Sequence, residues 1–216
     1  TWVFRLKNWP GCINDRSMIR SPVLIMFARA PYLGTVKKRL AAGIGPIAAR
    51  AFYVKTTTNV LAAVSANAAW QTVMCVTPDA SAAQGRFWPA GPTQLPQGYG
   101  DLGDRMERAL MSFPDQPVAI IGSDIPEVTH GHIQTAFAAL GRSDLVLGPS
   151  PDGGYWLVGA RVGNLARGLF RNVRWSSEYT LEDTLQNTGS RRVALIDELD
   201  DIDYVTDLDR WRAQIS

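Results

Sequence analysis

Val118 to Pro126 reads VAIIGSDIP, an apolar, β-branched run that breaks off in Gly122, Ser123 and Asp124, with Pro126 barring further ladder pairing. Its shortness suits a strand buried on both faces of a parallel sheet. The next segment reads as a helix: Thr129 is an N-cap, Ile133, Phe137 and Leu140 recur at helical spacing, and Gly141 closes the element. This is a strand-loop-helix unit at the centre of an α/β fold with a mostly parallel sheet. In such sheets ligands sit beyond the carboxyl ends of the strands, which is where Asp124 falls. A carboxylate there either caps a turn or holds a divalent cation, and a cation there can hold a diphosphate.

On the N-terminal side, Pro22 to Ala28 (PVLIMFA) is a second apolar strand. It runs into Arg29, Ala30, Pro31, Tyr32, Leu33 and Gly34, and then into Lys37, Lys38 and Arg39. A tight loop after a strand, with fixed cations as the chain turns into helix, reads as a phosphate site or as a solvated basic loop. The spacing is neither a Walker loop nor Gly-x-Gly-x-x-Gly. Pro46 opens a long helix in which Ile47, Ala51, Val54, Leu61 and Val64 trace the expected buried stripe, and Gln71 to Val76 is the next strand.

The Pro- and Gly-containing stretch up to Gly98 gives little signal. Gly100 to Arg105 then opens a helix with Asp101 and Asp104 placed as a capping box, and with Leu102, Met106, Ala109, Leu110 and Phe113 as its core face.

Toward the C-terminus, Leu145 to Pro149 and Tyr155 to Gly159 are strands flanking the turn Ser150-Pro151-Asp152-Gly153-Gly154. A helix comes next with Ser177 as its expected cap, and Arg192 to Ile196 is a last strand. Glu198, Asp200, Asp201 and Asp203 then concentrate acid. Asp203 either caps a final helix whose Tyr204, Leu208, Trp211 and Ile215 face inward, or one of Asp201 and Asp203 joins Asp124 as a metal ligand; Asp203 is the one taken as ligand. His130 and His132, two apart at a helix start, do not suit a shared zinc ion. With two histidines in the chain, acid–base work falls to carboxylates, and Asp152 is the candidate base.

Totals narrow the classes. At 216 residues, 46% hydrophobic and 19% charged, the chain suits one core, expected over 22–216, with 1–21 as an extension outside it. A net charge of +2 without a basic stripe argues against nucleic acid. Two cysteines, Cys12 and Cys75, make neither a disulfide framework nor a four-ligand zinc site, and no apolar run approaches a membrane span, so a soluble cytoplasmic protein is expected.

Several of these stretches, in order, carry a resemblance: FARAPYLGTVKKRL (27–40), GDLGDRM (100–106), IGSDIPEVT (121–129) and LGPSPDGGYWLVG (147–159), followed by WSS (175–177) and DIDYVTDLDRW (201–211). Together they resemble the DUF2064 family of small bacterial transferases, covering residues 22–212. The resemblance implies a single-domain, Rossmann-like GT-A fold of the nucleotide-diphospho-sugar transferase type. Family members are described as glycosyltransferases, some associated with arsenosugar biosynthesis, and are similar in outline to the phospholactate and molybdenum-cofactor guanylyltransferases.

It further implies a nucleotide site built from Ala28, Arg29, Ala30, Pro31, Gly34, Lys37, Arg39, Asp101, Leu102, Arg105 and Ser123. Asp124 with Asp203 would hold Mg²⁺ or Mn²⁺, and Asp152, Gly153, Gly154, Tyr155, Trp175 and Ser176 would face the acceptor. Only one acid stands where the fold family carries Asp-x-Asp, and Lys38 replaces an expected threonine. The expected activity is metal-dependent sugar transfer from a nucleotide-sugar to a small acceptor. Nucleotidyl transfer from an NTP and a non-catalytic nucleotide sensor are the rival readings.

Overall fold

The computed structural model describes residues 21–66, 68–83, 87–88 and 91–214. The expected extension at 1–21, apart from Ser21, lies outside the described residues, as do Cys12 and Ile215. Seven strands form one sheet: β1 (Val23–Arg29), β2 (Gln71–Thr77), β3 (Thr93–Pro96), β4 (Val118–Ile121), β5 (Leu145–Pro149), β6 (Tyr155–Ala160) and β7 (Val193–Leu195). Their order is β3-β2-β1-β4-β6-β5-β7, so the VAII stretch is the middle strand. All neighbours pair parallel except β6, which runs antiparallel to both β4 and β5.

That exception has a local cause. Five residues between β5 and β6 suffice only for a hairpin, because a parallel return needs a crossover of a dozen or more. Gly159 lets β6 lie between its neighbours: a Cβ there would come within 3.0 Å of the Val118 carbonyl and the Ala119 Cβ. The hairpin tip, carrying Asp152, thereby lands at the same edge of the sheet as the carboxyl end of β4.

Six α-helices are described: α1 (Lys38–Ile44), α2 (Pro46–Ser65), α3 (Leu102–Met111), α4 (His130–Leu140), α5 (Thr180–Gln186) and α6 (Val205–Gln214). Alternate residues of the strands feed two cores. Leu24, Met26, Met74 and Ile121 pack against α2 and α4, while Val23, Ile25, Val73 and Ile120 pack against α3. A smaller cluster of Leu40, Ala49, Ile202 and Leu208 joins α1, α2 and α6. Each fully buried Leu, Ile or Met of this kind contributes roughly 1.5–3 kcal/mol. None of the helices is long and apolar enough to cross a membrane.

Several local expectations change. The buried face of α2 is Ala49, Tyr53, Thr56, Thr57, Val60, Leu61 and Val64; Ile47 is 76% exposed and Ala51 is also exposed. Two threonines and a tyrosine turn inward, and they obscure the apolar period. Gly45, at φ 83, separates α1 from α2. Ser177 does not cap α5: its hydroxyl donates to Arg174 O in the preceding turn, and Tyr179 stands at the cap position. Asp203 does not cap α6 either; the Asp207 carboxylate accepts from the Asp203 and Tyr204 amides, which frees Asp203 for other partners. Of the described members of the inward set expected for α6, Leu208 is buried, Trp211 is partly so, and Tyr204 is 51% exposed. β3 escapes a sequence reading because Thr-Gln-Leu-Pro has neither an apolar run nor full burial.

Candidate active site

The carboxyl edge of β1 and β4 is built around a lysine. After β1 the chain turns through Gly34 (φ 76) and reaches Lys37, which stands at the N-cap of α1 in the left-handed region, φ 44 and ψ 51. A non-glycine residue there costs on the order of 1–3 kcal/mol unless its surroundings fix it. Here the Lys37 side chain, 3% exposed, lies 2.8 Å from Asp124 Oδ2, 2.8 Å from Asp203 Oδ1 and 3.5 Å from Asp201 Oδ2. Asp124 arrives on the loop that ends β4. Asp201 and Asp203 arrive on the extended segment after β7, where alternation sends Ile202 into the core beside Leu40 and both carboxylates to the other side. That segment is tied to the sheet through Leu199 N–H to Pro149 O at 3.2 Å and Trp156 Nε1 to Asp197 O at 2.9 Å.

The electrostatics come from this crowding. Each of the three aspartates offers one oxygen, and these oxygens lie within 4.8 Å of one another. Burial pushes Asp201 up to about 7, with Asp124 and Asp203 adding repulsion and Lys37 opposing. Burial also works to raise Asp203, but Lys37 and Arg39 outweigh it and hold that carboxyl below its usual range. Burial disfavours the Lys37 charge, yet the three carboxylates prevail and raise it above its ordinary value. Arg39 Nη1 completes the cluster at 2.9 Å from Asp203 Oδ2. An ammonium held among carboxylate oxygens marks a position built for a cation, and the donor set is the hard oxygen type that Mg²⁺ and Mn²⁺ take.

Two cavities meet at Asp124. The first, about 410 Å³, is rimmed by Arg29, Lys37, Lys38, Arg39 and Arg105, with Ala28, Leu102, Ser123 and Asp203 also in its wall. It thus collects most of the residues expected to bind nucleotide, and Lys38 faces it. Ala30, Pro31, Gly34 and Asp101 are not among its lining. Ala30 N–H bonds Thr77 O at 2.7 Å, and Asp101 serves α3 as a capping box with Asp104. The second cavity, about 240 Å³, is lined by Asp152, Gly154, Tyr155, Trp175 and Ser176, with Asp124 and Asp201 at its wall. Gly153 stands outside it, at φ 83, packed so closely on the Glu178 backbone that no Cβ fits. Phe27, Leu102, Gly122 and Asp124 line both.

Asp201 stands beside Asp203 in the cluster, where the sequence points to one of the two, taken as Asp203, joining Asp124. Two further contributors escape the sequence. Tyr53, from α2, accepts the Arg29 N–H at 2.9 Å and shares a hydrogen bond with Ser123 Oγ at 3.1 Å, fixing the ends of β1 and β4 together. Gln97, 5% exposed, donates to Ala28 O and Cys75 O, and its Oε1 accepts from Arg105 Nη1 at 2.8 Å. Its only signal is a polar residue between Pro96 and Gly98.

A family model described as an uncharacterized protein conserved in bacteria, DUF2064, matches residues 60–177, more than half of the 216. The chain is a DUF2064 protein. The matched segment runs from the last turns of α2 to Ser177, and so includes Asp124 and Asp152. Among solved structures, this DUF2064 protein is similar to one from Desulfovibrio desulfuricans G20, provisionally named a nucleotide-diphospho-sugar transferase. That match has a TM-score of 0.76 and 23% identity, over 88% of this chain and 86% of that one. It is similar also to the 4-diphosphocytidyl-2C-methyl-D-erythritol synthase of Anaerococcus prevotii DSM 20548, with a TM-score of 0.59 and 10% identity, over 90% and 95% of the two chains. A third is the Rv0371c protein of Mycobacterium tuberculosis H37Rv in complex with manganese, at 0.53 and 16%, over 88% and 97%. These likenesses establish the nucleotide-diphospho-sugar transferase type of fold for the DUF2064 chain. No curated protein matches it.

Proposed function

We propose that this DUF2064 protein is a metal-dependent glycosyltransferase, moving a sugar from a nucleotide-activated donor to a small-molecule acceptor. The observation that carries the reading is the position of Asp124, on the wall common to a cation-rimmed cavity and a largely apolar one, with its carboxylate among Asp201, Asp203 and the Lys37 ammonium. The manganese complex of a protein with this fold supports the same choice of ion.

Asp124, Asp201 and Asp203 would hold Mg²⁺ or Mn²⁺ in place of the Lys37 ammonium that lies among them, and the ion when bound would supply Lewis-acid neutralisation of the leaving diphosphate. Arg29, Lys38, Arg39 and Arg105 add fixed positive charge along the donor's phosphates. In the transfer, a bond forms between the acceptor's nucleophilic atom and the anomeric carbon, and the bond from that carbon to the diphosphate oxygen breaks. The acceptor's proton passes to the Asp152 carboxylate, whose Oδ1 is oriented by the Gly154 N–H at 2.9 Å.

One observation favours a second reading. A rim of several cations also suits a triphosphate, and the Anaerococcus relative is named a diphosphocytidyl synthase, so nucleotidyl transfer is the alternative. The two differ in product. Incubation with Mn²⁺, small alcohol acceptors and either nucleotide-sugars or labelled NTPs is expected to release nucleoside diphosphate from the sugar donor. Release of pyrophosphate from an NTP contradicts glycosyl transfer and supports the alternative.

A further inference from the structure

The second cavity carries a charge pattern that restricts its occupant. Of the described residues lining it, Asp124, Asp152 and Asp201 are acidic, and none is Lys, Arg or His. Asp124 and Asp201 are offset by Lys37, whereas Asp152 has no ion-pair partner among the described residues and accepts a single hydrogen bond, from Gly154 N–H. The remaining wall is largely apolar and aromatic, with Phe27, Met106, Tyr155, Trp156 and Trp175. A phosphate or carboxylate entering here would lose water beside the Asp152 charge with no cation among the lining residues to offset it, since Lys37, or an ion in its place, is already engaged by Asp124, Asp201 and Asp203. All the cations of the site stand around the other cavity. At about 240 Å³ the space is smaller than the ~300–1,000 Å³ of drug-sized ligand sites, and it suits a body of one ring.

We propose that the acceptor is an uncharged or cationic small molecule with a flat apolar body, and that acceptors bearing phosphate or carboxylate are rejected. The inference rests on the reading of the cation-rimmed cavity as the donor's seat. It assigns Asp152 a part in selecting the acceptor by charge, beside its proposed role as base.

Three probes sharing one ring test it: benzylamine, benzyl alcohol and benzoate, titrated against the full chain by ligand-observed NMR near neutral pH. The amine and the alcohol are expected to bind about tenfold or more tighter than benzoate. Asp152→Lys, at an exposed turn, should reverse the order of benzylamine and benzoate, and Asp152→Asn should remove the amine's advantage over the alcohol. Benzoate binding the wild type as tightly as benzyl alcohol, or an order unmoved by Asp152→Lys, overturns the proposal. A probe displaced by a nucleotide-sugar but not by the corresponding nucleoside diphosphate gives the cavity to the donor's sugar, and overturns it too. Manganese-dependent binding of the nucleoside diphosphate, measured on the same samples, reports on the donor seat alone. Its absence sinks the glycosyltransferase reading while the order of the probes still reports on this cavity.

Discussion

Lys37 brings together an unfavourable backbone conformation, near-complete burial and three acidic partners, and each makes sense only through the others. Removing one member of a fully buried ion cluster typically costs about 3–5 kcal/mol, and less where the carboxylates keep water, as Asp124, Asp201 and Asp203 do at 30–36% exposure. Lys37→Ala is therefore expected to lower unfolding stability by about 1–3 kcal/mol in chelator, judged by denaturant titration, and Mn²⁺ should restore much of the loss by filling the position the ammonium leaves. A variant insensitive to Mn²⁺ would show that the carboxylates do not form a cation site. Asp201 gives a pH test. Its folded value of about 7 lies above the ordinary ~3.9, so between these values the native state keeps a proton that the unfolded chain releases. Its contribution is present in full below about pH 4 and is lost as pH rises through about 7. The melting temperature of Asp201→Asn minus that of wild type should accordingly increase from acid to mildly alkaline pH, and a flat difference would refute the assignment.

At the scale of elements, α2 does more than cover the sheet. Tyr53 reaches from its inner face to the Arg29 backbone and to Ser123, and burial raises its phenol so that it stays neutral and able to donate. Tyr53→Phe strands the Arg29 amide and the Ser123 hydroxyl, at a cost of about 1–3 kcal/mol by denaturant unfolding. Because both ends belong to the cavity proposed for the donor, nucleotide affinity should weaken as well; unchanged stability and affinity together would remove Tyr53 from the site.

This contact also shows where sequence reading stops. The strands β1, β2, β4, β5 and β6 are legible because apolar runs broken by Gly, Pro and Asp declare themselves. The inner face of α2 is not, since Thr56, Thr57 and Tyr53 supply much of it. Asp203 is legible as an acid worth notice, but whether it caps α6 depends on Asp207 four residues later taking that task. Its partnership with Lys37 joins positions 166 apart in sequence, beyond the reach of any local pattern.

Across the whole molecule, a net charge of +2 conceals a division: five cations rim one cavity and three aspartates wall the other, with Asp124 between. Composition cannot report such an arrangement, because the sheet order creates it by placing β4 beside β1 and folding the β5–β6 hairpin back toward the same edge. The position of Asp124 comes from the general rule that ligands gather at the carboxyl ends of strands, whereas the insertion of β6 between β4 and β5 leaves only a short β5–β6 link and Gly159 as its trace in the sequence, and neither names β4 as the neighbour.

Calorimetric titration of nucleoside diphosphates with and without Mn²⁺, on wild type and Asp124→Asn, shows whether the Asp124 cluster binds a diphosphate through a divalent ion. Binding to the wild type should strengthen about tenfold or more when Mn²⁺ is added, and the variant should lose that gain. Equal affinity in all four conditions would mean that Asp124 holds no ion between itself and the diphosphate.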